Sequence, residues 1–137
     1  MEALIFIGIP GSGKTTYYRE HFASTHTHIS LDVVGTRERE DAMIRESLAA
    51  KRPFVIDNTN ITRADRARYI ARAKAAGYRV AGYFFPTEVR TAIGRNNHRT
   101  DKKALVVPAI LRSYKRLEPP TLDEGFDALE EVVSRKP

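Results

Sequence analysis

The stretch Gly8-Ile9-Pro10-Gly11-Ser12-Gly13-Lys14-Thr15 constrains this chain more than any other feature. An apolar run, Ala3–Ile7, precedes it, and a helical pattern over Lys14–Ala23 follows, with Tyr18 and Phe22 on one face. A G-x-x-x-x-G-K-[ST] segment between strand and helix reads as a phosphate-binding loop. Glycines let the backbone wrap around phosphate oxygens with its N–H groups turned inward, and the helix N-terminus adds favourable charge. Gly8, Pro10, Gly11, Ser12, Gly13, Lys14, Thr15 and Thr16 are therefore expected around ATP or another nucleoside triphosphate. Lys14 is expected to reach the β- and γ-phosphates, and Thr15 to ligate Mg²⁺ through its hydroxyl.

The rest of the chain alternates in the same manner. His28–Ser30 reads as a short strand, Glu38–Ala50 as a helix, and Phe54-Val55-Ile56 as a strand ending in Asp57. Thr62 and Asp65 form an [ST]-x-x-[DE] cap for a helix that stops at Gly77. Arg79–Phe85 is a strand, Val89–Asn97 a helix, Pro108 suits a first helical turn, and Phe126–Val133 is a last strand. This alternation predicts an α/β fold of about five parallel strands with helices on both faces, over a single domain, 1–137. Ligands in such sheets bind beyond the carboxyl ends of the strands.

Composition narrows the setting. At 137 residues, 42% apolar and 29% charged, the chain suits one globular domain, and without cysteine it has neither disulfides nor thiolate chemistry. No run is long enough to span a membrane and no basic segment precedes Ala3–Ile9, so a cytoplasmic protein is expected. Three of the four histidines fall within His21–His28 without metal spacing and read as a solvated loop. The net charge of +6 is uneven. Residues 1–60 hold 7 Lys/Arg against 8 Asp/Glu, residues 61–116 hold 14 against 3, and residues 117–137 hold 2 against 6. A middle segment of +11 points to a polyanion partner, with a merely solvated basic face as the rival reading.

Further residues carry chemistry by position. Asp32, just after the second strand, can take the proton of an attacking hydroxyl; as a plain residue it would cap a turn. Asp32-Val33-Val34-Gly35-Thr36 echoes the D-x-D-G-T of aspartate phosphatases, but its second aspartate is Val34, which excludes that chemistry. Asp57 ends the third strand where an acid can hold Mg²⁺; Asn58, Thr59 and Asn60 serve either the site or a turn. Arg95 and Arg99, four apart, could close over a triphosphate or simply end a helix. The helix after Thr62 carries Arg63, Arg66, Arg68, Arg72 and Lys74, a candidate phosphodiester contact.

Taken together, GIPGSGKTT, Leu31-Asp32, VIDNTNITRADRARY, RNNHR and RSYKRLEPPTLDEGFDALEEV resemble the 5′-kinase domain of polynucleotide kinases. The resemblance runs from the glycine loop nearly to the C-terminus. It implies a P-loop kinase fold, ATP and Mg²⁺ as cofactors, and a 5′-hydroxyl end of DNA or RNA as acceptor. It implies catalytic roles for Lys14, for Asp32 as general base and for Arg99 as lid arginine supported by Arg95, metal ligation by Thr15, and a place for Asp57 or Asn58 in the acceptor and metal region. Acceptor contacts fall to Arg37, Asn58 and Arg66. The phage type has its aspartate at position 58, here Asn58, and an arginine three residues after the base, here Gly35, as in the mammalian type; Arg37 or Arg39 is the candidate substitute. No phosphatase domain is expected within the chain, so a separate phosphatase or ligase would supply other steps. The alternatives are a small-molecule P-loop kinase and a non-catalytic ATP-binding module.

Overall fold

The computed structural model describes residues 1–96 and 103–133. Strand β1 (Glu2–Ile7) passes through the glycine loop into α1 (Lys14–His21). Strand β2 (Thr27–Ile29) is followed by a single turn, α2 (Leu31–Val34), and by α3 (Arg37–Ala49). Next come β3 (Phe54–Asp57), α4 (Arg63–Ala75), β4 (Arg79–Phe84), α5 (Val89–Asn96) and α6 (Lys103–Arg116). A 3-10 turn (Leu122–Glu124) leads into β5 (Ala128–Glu131). Among the described residues, no helix is long and apolar enough to cross a membrane.

The five strands form one sheet in the order β2-β3-β1-β4-β5, every neighbouring pair parallel. The expected α/β architecture is present. Strand β1 is central and apolar on both faces, as a doubly covered parallel strand must be. Its alternate residues Ala3, Ile5 and Ile7 meet Ile44 of α3 and Tyr69, Ile70 and Ala73 of α4. Leu4 and Phe6 point the other way, onto Tyr17 and Tyr18 of α1, Phe22 and Phe85. The chain leaves β1 for one side of the sheet, builds β2 and β3, and then crosses to β4. The carboxyl end of β1 is thus the point where the winding reverses, and the glycine loop sits there.

Local chemistry sets most boundaries. The Thr62 hydroxyl accepts from the Asp65 N–H at 3.1 Å, so α4 starts where the capping pattern places it. Among the boundaries that differ from those expected, three are informative. Ser30 is the extended residue before α2 rather than part of a strand, so the chain turns helical immediately before Asp32. Pro108 lies inside α6, not in its first turn; it is solvent-exposed, which lets water satisfy the carbonyl that loses its partner. Strand β5 covers only the middle of the expected Phe126–Val133, and Phe126, before it, packs into the core cluster that includes Ile70 and Tyr78.

The basic helix α4 requires a larger correction. Arg66, expected at the acceptor, is fully buried: Nε and Nη2 donate to the two oxygens of Glu124 at 2.7 and 3.0 Å, and Nη1 donates to the Asn60 carbonyl at 2.8 Å. A guanidinium with its donors committed in the core cannot greet a substrate phosphate. Arg63 pairs with Asp123, Arg72 with Asp41 and Lys74 with Asp127. Much of the positive charge counted on this helix is therefore matched within the fold, by the acidic C-terminal segment and by Asp41 of α3.

Breaking the Arg66–Glu124 pair leaves an uncompensated buried charge. Glu124→Ala is expected to lower unfolding free energy by about 3–5 kcal/mol in urea denaturation. A loss below ~1 kcal/mol would show the pair to be dispensable.

Candidate active site

The glycine loop is shaped by its own lysine. The Lys14 ammonium donates to the carbonyls of Gly8 (2.9 Å) and Ile9 (3.1 Å) and to Ser12 Oγ (3.3 Å). Gly13, the residue before α1, has φ of 91°, a left-handed turn that favours glycine and that brings the backbone round to the helix N-terminus. Burial pushes the Lys14 pKa down to about 8, against the opposing pull of Asp57 and Asp32. A buried cation at a helix N-terminus, inside a loop of backbone, matches the needs of a polyphosphate.

Beside it, Thr15 Oγ1 donates to Asp57 Oδ2 at 2.8 Å. The same oxygen receives the Nε2–H of His28 at 2.7 Å. A carboxylate only accepts, so the proton lies on the histidine nitrogen. The His28 ring stacks on Tyr18 at 4.3 Å, and the Tyr18 hydroxyl donates to the His26 carbonyl. His26 bonds Glu2 at 2.7 Å. His26 and His28 are thus half-buried, partnered residues, not members of a solvated loop, because β2 brings them against α1 and the sheet. A hydroxyl and a carboxylate, both hard oxygen donors, fit Mg²⁺ held jointly with phosphate.

Asp32 lies in the first turn of α2, exposed, with its charge close enough to interact with Lys14. Among the described residues its carboxylate accepts no hydrogen bond. Gly35 ends α2 with φ of 88°, so a side chain at this position would be strained. Arg37, two residues on, donates through Nη1 to Tyr69 Oη (2.7 Å) and Glu40 Oε1 (3.1 Å), with its side chain 54% exposed. Asn58 accepts from the Leu31 N–H at 2.9 Å and donates to Glu40 Oε2 at 2.8 Å. Arg95 lies on α5, and Arg99 lies outside the described residues.

The structure therefore brings Lys14, Thr15, Asp32, Asp57 and Asn58 to one end of the sheet and removes Arg66. Sequence reading missed His28, Glu40 and Tyr69. Glu40 had a visible signal: with Ile44 and Ser47 it shares the buried stripe of α3, an acid where the helix should be apolar.

A phosphate loop at the reversal point of a parallel five-stranded sheet, with an acid ending the neighbouring strand, defines a P-loop protein of the kinase-like α/β type. The chain belongs to the AAA domain family, which it matches over residues 4–120. It is similar to a bifunctional polynucleotide phosphatase/kinase of Schizosaccharomyces pombe, 27% identical over 96% of this chain and 33% of that protein. The chain thus spans about a third of the length of the curated relatives it matches, in agreement with the 5′-kinase resemblance read from its motifs. Among solved structures, a gluconokinase of Sinorhizobium meliloti superposes with TM-score 0.66 and 20% identity over 99% of this chain and 84% of that one. Kti12 of Chaetomium thermophilum in complex with ADP-AlF3 gives TM-score 0.65 and 20% identity over 96% and 88%.

The depressed Lys14 pKa has a signed consequence. Below about pH 8 the free protein holds the ammonium, and between 8 and the ordinary lysine value of 10.5 it is partly neutral. In that window the unfolded chain binds more protons, so this group makes stability rise with pH. A triphosphate favours the ammonium, so ATP binding near pH 8.5 is expected to take up protons, and near pH 6.5 this lysine should take up none. Calorimetry in buffers of different ionisation enthalpy measures this; buffer-independent heats at pH 8.5 would refute it.

Proposed function

We propose that the protein is an ATP- and Mg²⁺-dependent kinase of 5′-hydroxyl ends of DNA or RNA. The observation that carries this reading is Asp32: an exposed carboxylate whose charge interacts with Lys14 and which, among the described residues, accepts no hydrogen bond. A nucleotide-hydrolysing site has no need of such a group on the acceptor side, whereas an alcohol acceptor does. The acceptor oxygen attacks the γ-phosphorus, the bond from that phosphorus to the β–γ bridging oxygen breaks, ADP leaves, and Asp32 takes the hydroxyl proton. Lys14 neutralises charge on the β- and γ-phosphates. Thr15 and Asp57 would hold Mg²⁺, which when bound supplies charge neutralisation to the migrating group. Arg99, supported by Arg95, is assigned to the lid role by resemblance.

The similarity to a polynucleotide phosphatase/kinase supports this acceptor. A second reading, a small-molecule kinase, draws on the gluconokinase likeness and on the internal pairing of α4's cations. Exposed Arg112, Lys115 and Arg116 on α6 and Arg90 on α5 leave positive surface for a polyanion. Salt separates the two, because a polynucleotide's affinity falls steeply with ionic strength and a neutral metabolite's does not.

Incubation of 5′-hydroxyl oligonucleotides with ATP is expected to yield 5′-phosphorylated product from the wild type and none from Lys14→Met. Asp32→Asn should lower kcat by about 10²–10⁴-fold with ATP binding retained. Absence of transfer to any oligonucleotide would overturn the reading, as would full activity in Asp32→Asn.

A further inference from the structure

A buried acid of α3 touches neither the glycine loop nor Asp57. Glu40 lies on the inward face of α3 with its side chain 5% exposed. Its oxygens accept from Tyr69 Oη at 2.9 and 3.0 Å, from Asn58 Nδ2 at 2.8 Å and from Arg37 Nη1 at 3.1 Å. The carboxylate is thus fully partnered, which a buried charge requires. Such a group is a weak source of stability, since an apolar replacement of similar volume often does as well. What Glu40 supplies is geometry.

Asn58 transmits that geometry. Its Oδ1 accepts the Leu31 N–H, so its Nδ2 must face Glu40, and both ends of the amide are fixed. Leu31 opens α2 and immediately precedes Asp32. Asn58 immediately follows Asp57, whose carboxylate holds Thr15. One amide therefore links the end of β3 to the turn bearing the proton acceptor. The contact also dictates residue type. A carboxylate at position 58 would face that of Glu40 across the present 2.8 Å contact, an unfavourable approach of like charges. An acid at 40 and a neutral amide at 58 are two halves of one arrangement.

We propose that Glu40 is a positioning residue for phosphoryl transfer, fixing through Asn58 the turn that carries Asp32. The role rests on the kinase reading above for the function of Asp32. The pairing of residues 40 and 58 stands on geometry alone.

The test is an exchange of the two groups. Kinetics on a 5′-hydroxyl oligonucleotide and thermal denaturation are measured for wild type, Glu40→Gln, Asn58→Asp and the double variant. Each single change is expected to reduce kcat by about 10–100-fold, because it misplaces Asp32 rather than removing it, and to leave the KM for ATP unchanged. In Glu40→Gln the new amide N–H faces the donors Asn58 Nδ2 and Arg37 Nη1 and a Tyr69 hydroxyl that already accepts from both. In Asn58→Asp two carboxylates meet. In the double variant the new carboxylate at 58 accepts from the Leu31 N–H and from the new amide at 40, so kcat should return to within a few-fold of wild type. Multiplying losses in the double variant would overturn the proposal. So would single losses that appear as a raised KM for ATP. If the wild type phosphorylates no oligonucleotide, the kinase reading fails and the role toward Asp32 falls with it. The pairing is then decided by Tm alone, lowered in Asn58→Asp and recovered in the double variant if it holds, lowered further if it does not.

Discussion

The carboxylate of Asp57 is the joint on which the active end of this molecule depends. A single oxygen receives the Thr15 hydroxyl from α1 and the His28 ring from β2, so the phosphate loop and the outermost strand on that side share one anchor. Such a joint is possible because the sheet is parallel and in register. Ile29 pairs with Ile56, and Phe6 with Asp57, so three strands end at one level and their following residues converge. Were one strand to slip by a residue, His28 would point to the other face of the sheet.

Much of this was legible in the sequence, for identifiable reasons. The glycine loop, the Thr62 cap and the apolar run of β1 are local signals whose physics is complete within a few residues. Asp32 and Asp57 were legible because their positions follow from strand ends. Residues whose meaning depends on distant partners were not. Arg66 on a basic helix looks like a surface cation until Glu124, 58 residues away, is brought against it. His28 looked solvated because nothing nearby in sequence announces Asp57. Pro108 was placed in a first turn by its preference for that position, yet the solvent-facing side of α6 accommodates it mid-helix.

Charge distribution shows the same division. The chain's basic middle and acidic end look like separate functional regions when counted along the sequence. In the fold they meet in part: Arg63, Arg66 and Lys74 take Asp123, Glu124 and Asp127 as partners, and the 3-10 turn before β5 is clasped onto α4. Among the described residues, positive charge without an acidic partner remains on Arg68 of α4, on Arg90 of α5 and on the last turns of α6.

The lysine folded into its own loop bears on the speed of ligand capture. Lys14 holds the Gly8 and Ile9 carbonyls in the positions of a finished cradle, so the ligand-free backbone already has the curvature a phosphate chain requires. A nucleotide arriving there exchanges the partners of one ammonium group rather than ordering a floppy segment, and little chain entropy is lost on association. Capture of a phosphate chain should then be governed by diffusion and charge.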